Sequence, residues 1–175
     1  GFVGIVGRPN VGKSTILNHW LGEKVAIVSP RPQTTRYRIL GVLTRPEAQV
    51  MFLDSPGLHK PEHALGQHMQ EAAKAVVDEA DLLVAVLDAR AGLTEEDERA
   101  FALLDRAERP ILLAINKVDL VKKPVLLPLI AACAKTKRFA ACVPVSAKTG
   151  DQMDVLLQEV IARLPEGPRW YEPEQ

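Results

Sequence analysis

The sequence predicts a three-layer α/β/α sandwich around a six-stranded, mostly parallel β-sheet. Short apolar runs alternate with longer segments in which apolar residues recur at helical spacing. The connection over residues 44–48 is too short to hold a crossover helix, so the two strands that it joins must be antiparallel. The 175 residues fit one domain with a sizeable core.

Each predicted strand is a short apolar run that ends in polar or turn-forming residues. In chain order the strands are Phe2–Val6, Tyr37–Leu43, Gln49–Leu53, Leu82–Leu87, Ile111–Ile115 and Ala140–Val145. The second and third form the antiparallel pair, and the others are expected to be parallel. The carboxyl ends of parallel strands meet at one edge of the sheet, where doubly wound sheets bind ligands.

The first helix has Ile16 and Trp20 on its apolar face and ends at Gly22. Further helices are predicted at Gly66–Ala80, Glu95–Ala107, Pro124–Ala134 and Gln152–Leu164. Thr94 is expected to cap the helix that follows it. The charged block over residues 95–99 is expected to be a solvated first turn, because acidic side chains suit the positive end of a helix dipole.

A phosphate-binding loop connects the first strand to the first helix. Residues 7–14 read Gly-Arg-Pro-Asn-Val-Gly-Lys-Ser, which has the P-loop spacing of two glycines followed by Lys and Ser. Lys13 adds positive charge beside the β and γ phosphates, and Ser14 offers a hydroxyl to Mg²⁺. The predicted nucleotide contacts are Gly7, Arg8, Pro9, Asn10, Val11, Gly12, Lys13, Ser14 and Thr15. The sequence therefore predicts a P-loop NTPase.

The loop after the fifth strand predicts that the bound base is guanine. Residues 116–119 read Asn-Lys-Val-Asp. Asp119 can accept hydrogen bonds from the N1 and N2 donors of guanine, whereas adenine would leave the carboxylate unpaired. Asn116 is expected to tie this loop to the phosphate loop, and the aliphatic stem of Lys117 is expected to lie along the base.

The sixth strand ends in a third loop, which contributes Ser146, Ala147 and Lys148. A backbone N–H near Ala147 is expected to meet the guanine carbonyl. Together the three loops predict GTP or GDP as the ligand. An ATP-dependent kinase remains an alternative, which competition of GTP against ATP would expose.

Two segments are predicted to sense the γ phosphate. The third strand ends in Asp54, whose carboxylate is expected beside Mg²⁺, and the Gly57 N–H that follows is expected to bond the γ phosphate. The proline-punctuated loop over residues 29–36 is expected to place Thr35 on Mg²⁺ and the γ phosphate, with Thr34 as the alternative register. The predicted metal ligands are Ser14, Thr35 and Asp54.

Slow intrinsic hydrolysis is expected, because Leu58 stands where Ras-like proteins carry the glutamine that orients the attacking water. The predicted catalytic residues are Lys13, Thr35, Gly57 and Asn10. Asn10 is a candidate ligand for a potassium ion that replaces an arginine finger. Arg8 and Arg36 are competing sources of positive charge, although such residues are more often solvated in loops.

Composition sets further expectations. The 22 basic and 22 acidic residues cancel, so neither a DNA partner nor a large anionic-membrane surface is expected on this domain. Cys133 and Cys142 lack metal-ligand spacing and are expected to pack as small apolar residues in a reducing compartment. No apolar run approaches the roughly 20 residues that span a bilayer. We expect a cytoplasmic protein and a monomer.

Five motifs together resemble the Era family of bacterial GTPases; they begin at Gly7, Val28, Asp54, Asn116 and Val145. The most specific is Pro-Gln-Thr-Thr-Arg, at residues 32–36. The resemblance covers essentially the whole chain. It implies a guanine-nucleotide domain over residues 1–165 and a linker over 166–175 toward a carboxyl-terminal KH domain, which binds the 3′ end of small-subunit ribosomal RNA during ribosome maturation. It also implies peripheral association with the cytoplasmic membrane.

The chain departs from the family pattern at Ser55, where Thr is more usual. No KH segment lies within the 175 residues, so RNA binding is not expected of this domain alone. A tandem-domain ribosome assembly factor and a tRNA-modification GTPase remain alternatives, as does a GTP-binding scaffold that hardly hydrolyses. Sequence beyond Gln175 would separate the first two from the Era family.

Overall fold

The computed structural model describes residues 1–8, 10–22, 38–54, 74–136 and 139–165. Its strands are β1 Phe2–Val6, β2 Arg38–Thr44, β3 Gln49–Asp54, β4 Leu82–Asp88, β5 Ile111–Asn116 and β6 Ala141–Pro144. The helices are α1 Lys13–Leu21, α2 over the described residues 74–79, α3 Glu95–Ala102, α4 Lys123–Thr136 and α5 Met153–Arg163. Short 3₁₀ turns cover Leu103–Arg106 and Val118–Leu120.

The six strands form one sheet in the order β2-β3-β1-β4-β5-β6. β2 and β3 are antiparallel, and every other neighbouring pair is parallel. The predicted sheet is therefore confirmed, including its antiparallel pair. Because β1, β3, β4, β5 and β6 run in one direction, the loops that follow them lie along a single edge.

Alternate residues of the central strands face opposite helical layers. All seven residues of β4 are buried. Leu82, Val84 and Val86 belong to the core cluster that includes residues of α1 and α5. Leu83, Ala85 and Leu87 belong to the cluster that includes residues of α2, α3 and α4. The sheet is thus covered on both faces, as a three-layer sandwich requires.

The helix predicted to run from Glu95 to Ala107 is shorter than expected. Its α-helical part ends at Ala102, and the chain continues as a 3₁₀ turn that keeps Leu104 buried. The predicted cap is confirmed, because the Thr94 hydroxyl accepts a hydrogen bond from the backbone of Asp97. In the described part of the chain no helix has the length and apolar character needed to cross a bilayer.

Candidate nucleotide-binding site

The phosphate loop lies between β1 and α1, and all of it except Pro9 is described. A Cβ at Gly7 would lie 3.0 Å from the Val86 carbonyl oxygen, which is tighter than most side-chain contacts, so β4 favours glycine at this position. Gly12 adopts a φ of +104°, which favours glycine. The Lys13 ammonium is 2.5 Å from the Gly7 carbonyl oxygen and is buried, so it folds back across the loop.

Asn116 joins the phosphate loop to the loop after β6. Its side-chain NH₂ donates to the Val11 carbonyl, 2.9 Å away, and its side-chain oxygen accepts from the Ala147 N–H at 3.0 Å. Asn116 is almost completely buried. The link to the phosphate loop predicted from the sequence is therefore confirmed. Because the Ala147 N–H is bonded to Asn116, the predicted contact with the guanine carbonyl would use a neighbouring N–H, such as that of Lys148.

Lys117 makes a second connection to the phosphate loop. Its ammonium donates to the Asn10 carbonyl at 2.7 Å and to the Asp88 carboxylate at 3.0 Å. Burial alone would raise the pKa of Asp88, but hydrogen bonds from Lys117 and from the N–H groups of Arg90 and Ala91 outweigh it and hold the pKa below its ordinary value. Asp88 was not among the predicted site residues, although it is a carboxylate at the ligand-binding end of a buried strand.

Asp119 lies in the 3₁₀ turn after β5 and is exposed. Its carboxylate accepts a hydrogen bond from the buried Ser146 hydroxyl at 2.8 Å. The same hydroxyl oxygen accepts from the Thr149 N–H at 3.1 Å. The loop after β6 thus orients the carboxylate that was predicted to read the base, and the carboxylate remains open to a ligand.

Arg8 and Asp97 form an ion pair, although both were expected to be solvated. The Arg8 guanidinium Nε is 3.1 Å from Oδ1 of Asp97, and the two side chains are 16% and 0% exposed. The prediction of a solvated first turn is therefore wrong for Asp97, and Arg8 is not a solvated loop residue. Packing of α3 against the sheet encloses this one acidic residue, whereas Glu95, Glu96 and Glu98 are exposed.

The metal-ligand prediction is only partly within the described residues. Ser14 is exposed at the start of α1, and Asp54 ends β3 beside β1, so the backbone brings both to one edge of the sheet. Thr34, Thr35, Arg36, Gly57 and Leu58 lie outside the described residues. Within the described ranges no three His, Cys, Asp or Glu side chains cluster as metal ligands. Nucleotide-bound Mg²⁺ needs only one or two protein oxygens, so Ser14 and Asp54 fit it.

Asn10 has a φ of +69° and an exposed side chain. Its carbonyl accepts from Lys117, so the backbone of this residue is fixed. The cysteines behave as expected of small apolar residues: Cys133 is buried, Cys142 is half-buried, and both are free thiols.

Known proteins resemble this chain closely. Residues 2–117 match the family described as 50S ribosome-binding GTPase. The GTPase Era of Clostridium novyi (strain NT) is 43% identical over 171 residues, which are 98% of this chain and 58% of that protein.

Two solved structures of Era are also similar. One is Era in complex with MgGDPNP and nucleotides 1506–1542 of 16S ribosomal RNA, with a TM-score of 0.85 and 40% identity over 100% of this chain and 60% of that one. The other is a variant of Aquifex aeolicus Era bound to GDP·AlF4⁻, with a TM-score of 0.84 and the same identity and coverage. The chain spans 58% to 60% of the length of these relatives. Because the family match covers residues 2–117, well over half of the chain, and the phosphate loop and the Asn116 bridge are in place, the chain belongs to the 50S ribosome-binding GTPase family, in which it resembles Era.

Proposed function

We propose that this chain is the GTP-binding and GTP-hydrolysing switch domain of an Era-like GTPase. The observation that carries the proposal is that the Asn116 side chain bonds both the phosphate loop and Ala147 in the loop after β6. A single side chain thereby fixes the spacing between a triphosphate-binding loop and a base-binding loop. Membership of a GTPase family supports hydrolysis as the activity.

Asp119 gives the site its proposed preference for guanine. The Ser146 hydroxyl orients its carboxylate, which is open to solvent. Guanine presents two N–H donors to such a carboxylate, whereas adenine presents an acceptor and would leave it unpaired.

Asp119→Asn tests this proposal. We expect the variant to lose affinity for GDP and to gain affinity for xanthosine diphosphate, because the asparagine NH₂ can donate to the extra carbonyl of xanthine. Calorimetry with GDP, xanthosine diphosphate and ADP in magnesium measures the change. An unchanged order of affinities would remove the guanine assignment, and no uptake of GDP by the unaltered chain would remove the whole proposal.

Mg²⁺ is the proposed metal partner of the nucleotide. The backbone brings Ser14 and Asp54 to one sheet edge, and a hydroxyl and a carboxylate are oxygen donors of the kind that this ion prefers. Thr35 is proposed as a further ligand, with Thr34 as the alternative. When bound, the ion neutralises charge on the phosphates. The Era complex with MgGDPNP supports the same cofactor here.

Around the γ phosphate we propose that Lys13, Thr35, Gly57 and Asn10 act together. Lys13 is already held over the phosphate loop by the Gly7 carbonyl. The side-chain oxygen of Asn10 is proposed to bind a potassium ion in place of an arginine finger. Hydrolysis measured in potassium and in sodium at equal ionic strength tests this, with Asn10→Ala as the variant. Equal rates in the two salts would reject the potassium site.

In the cell we propose a role in maturation of the small ribosomal subunit. The structure of Era with a 16S ribosomal RNA fragment supports contact of the whole protein with this RNA. A carboxyl-terminal KH domain is proposed, from the resemblance to Era, as the part that makes this contact. Residues 166–175, the predicted linker, lie outside the described residues. A cytoplasmic monomer that associates peripherally with the membrane is proposed from the resemblance to Era. Accelerated hydrolysis on adding small ribosomal subunits to a protein with both domains would support the ribosomal role.

A scaffold that binds GTP and hardly hydrolyses it is the second candidate. Leu58, which replaces the water-orienting glutamine, favours it. Single-turnover hydrolysis separates the two functions, because a scaffold would show no acceleration on ribosomal particles.

A further inference from the structure

The ion pair between Arg8 and Asp97 joins the phosphate loop to α3. The Asp97 side chain is fully buried, and its Oδ1 is 3.1 Å from the Arg8 Nε. Removing a carboxylate from water is costly unless charge and hydrogen bonds compensate for it. A buried pair of this kind therefore points to a role in fixing the position of the phosphate loop relative to α3. An exposed pair would be enough if the two charges served only solubility.

The first turn of α3 holds the Asp97 carboxylate in one orientation. Its Oδ2 accepts from the Thr94 N–H and from the Thr94 hydroxyl, each at 2.8 Å. The Asp97 N–H donates in return to the Thr94 hydroxyl oxygen at 3.3 Å. Because this capping box fixes Oδ2, the other oxygen is directed at Arg8.

Within the described residues, side chains from the end of β5 and from α3 bond the phosphate loop. Asn116 and Lys117 hold the middle of the loop through the backbone carbonyls of Val11 and Asn10. The loop begins at Gly7, and Arg8 follows directly. The pair with Asp97 therefore connects α3 to the part of the loop that Asn116 and Lys117 do not bond.

We propose that Asp97 is a positioning residue for the nucleotide: acting through Arg8, it holds the start of the phosphate loop in the shape that binds a diphosphate or triphosphate. This inference rests on the proposed function, since it presupposes that the loop binds guanine nucleotides. In this proposal the Arg8 guanidinium links the phosphate loop to α3. The competing role for Arg8 is direct contact with the phosphates.

Asp97→Asn in the 175-residue chain tests the proposal. Asparagine keeps an oxygen for Thr94 but removes the charge that faces Arg8. We expect affinity for GDP to fall roughly tenfold, which is the size of one charge-assisted hydrogen bond. Affinity for GMP should change less than about twofold, because GMP lacks the β phosphate whose contact with the loop the substitution weakens. Competition against a fluorescent guanine nucleotide in magnesium measures both.

Glu98→Gln is the matched control, because it removes the same charge from an exposed position one residue further along α3. It should leave the ratio of GDP to GMP affinity unchanged. A general loss of stability would weaken both nucleotides alike, so the ratio separates positioning from a purely structural role.

Arg8→Met and the double variant Arg8→Met/Asp97→Asn complete a double-mutant cycle for GDP affinity. If Asp97 acts through Arg8, the double variant binds GDP no more weakly than either single variant. If Arg8 contacts the phosphates, removing the Asp97 charge beside it leaves GDP affinity unchanged or stronger, which would overturn the proposal. The double variant removes both charges of the Arg8–Asp97 pair, so it keeps the test available where Asp97→Asn alone fails to fold.

The outcomes distinguish this inference from the proposed function. No binding of GDP by the unaltered chain removes the proposed function. Normal binding by the unaltered chain, with an unchanged affinity ratio in Asp97→Asn or in the double variant, removes the positioning role alone.

Discussion

The side-chain nitrogen of Asn116 lies 2.9 Å from the carbonyl oxygen of Val11, across 105 positions of sequence. This hydrogen bond closes the nucleotide site, because Val11 belongs to the phosphate loop and Asn116 ends β5. Both groups are buried, so neither has water as a substitute partner.

Asn116→Ala should destabilise the protein and weaken nucleotide binding together. The substitution leaves the Val11 carbonyl and the Ala147 N–H without their partner, at a cost of about 2 to 4 kcal/mol in the free energy of unfolding. Urea denaturation without nucleotide measures this cost. Lys148→Ala, at an exposed position next to Ala147 in the loop after β6, is the control for the free energy of unfolding. A loss below about 0.5 kcal/mol in Asn116→Ala would mean that the bridge contributes little.

Gly12→Ala should abolish nucleotide binding through a steric clash. A Cβ at this position would lie 2.1 Å from the side-chain nitrogen of Asn116. Gly22→Ala is a control for backbone strain, because its φ is also positive, at +76°, and a Cβ there meets none of the described residues within 4 Å. Backbone strain costs about 1 to 3 kcal/mol in either variant. We expect only Gly12→Ala to lose GDP binding in calorimetry; equal affinity in the two variants would refute the clash.

The Asp88–Lys117 pair should make stability depend on pH at the acid end. Because the folded-state pKa of Asp88 lies below its unfolded value, its stabilisation is complete above the unfolded pKa and is lost as pH falls through the folded one. At neutral pH, Asp88→Asn should cost about 1 to 3 kcal/mol. The difference from the unaltered protein should stay level from about pH 8 to 5 and shrink below about pH 4.

Urea unfolding at each pH checks this prediction. Glu108→Gln removes an exposed carboxylate from the connection before β5 and serves as the control. A cost for Asp88→Asn that did not shrink at low pH would exclude the carboxylate charge as its source.

Cys133 should react with thiol reagents only when the protein opens. Burial, and to a smaller extent the nearby Cys142 and Asp97, raise the pKa of its thiol to about 11, so little thiolate forms at pH 8. Cys142, which is half-buried, should be alkylated first. Iodoacetamide labelling followed by mass spectrometry gives the order. Labelling of Cys133 before Cys142 in the folded protein would contradict this order.

The sheet and the Asn116 bridge were predictable because both follow from patterns local to the sequence. The short connection over residues 44–48 required an antiparallel pair, and the loop motifs at the ends of parallel strands had to meet at one edge. Asn116 was assigned its role from its place in the motif.

Asp97 and Asp88 were not predicted, since their burial depends on how distant elements pack. Four consecutive acidic residues look alike in sequence, yet α3 encloses only one of them. The spacing from Thr94 to Asp97 does mark a capping box, which singles out this residue among its neighbours. No such local pattern pairs Asp97 with Arg8, because 89 positions separate them.

The full burial of β4 also bears on the order in which the protein opens. β4 lies between β1 and β5, so its amides should be among the last to exchange with heavy water, whereas the edge strands exchange sooner. Asp88 is the last residue of β4. Lys117, which bonds the phosphate loop, is therefore paired with the strand that unfolds last. Local unfolding of the edge strands can occur while this pair stays intact.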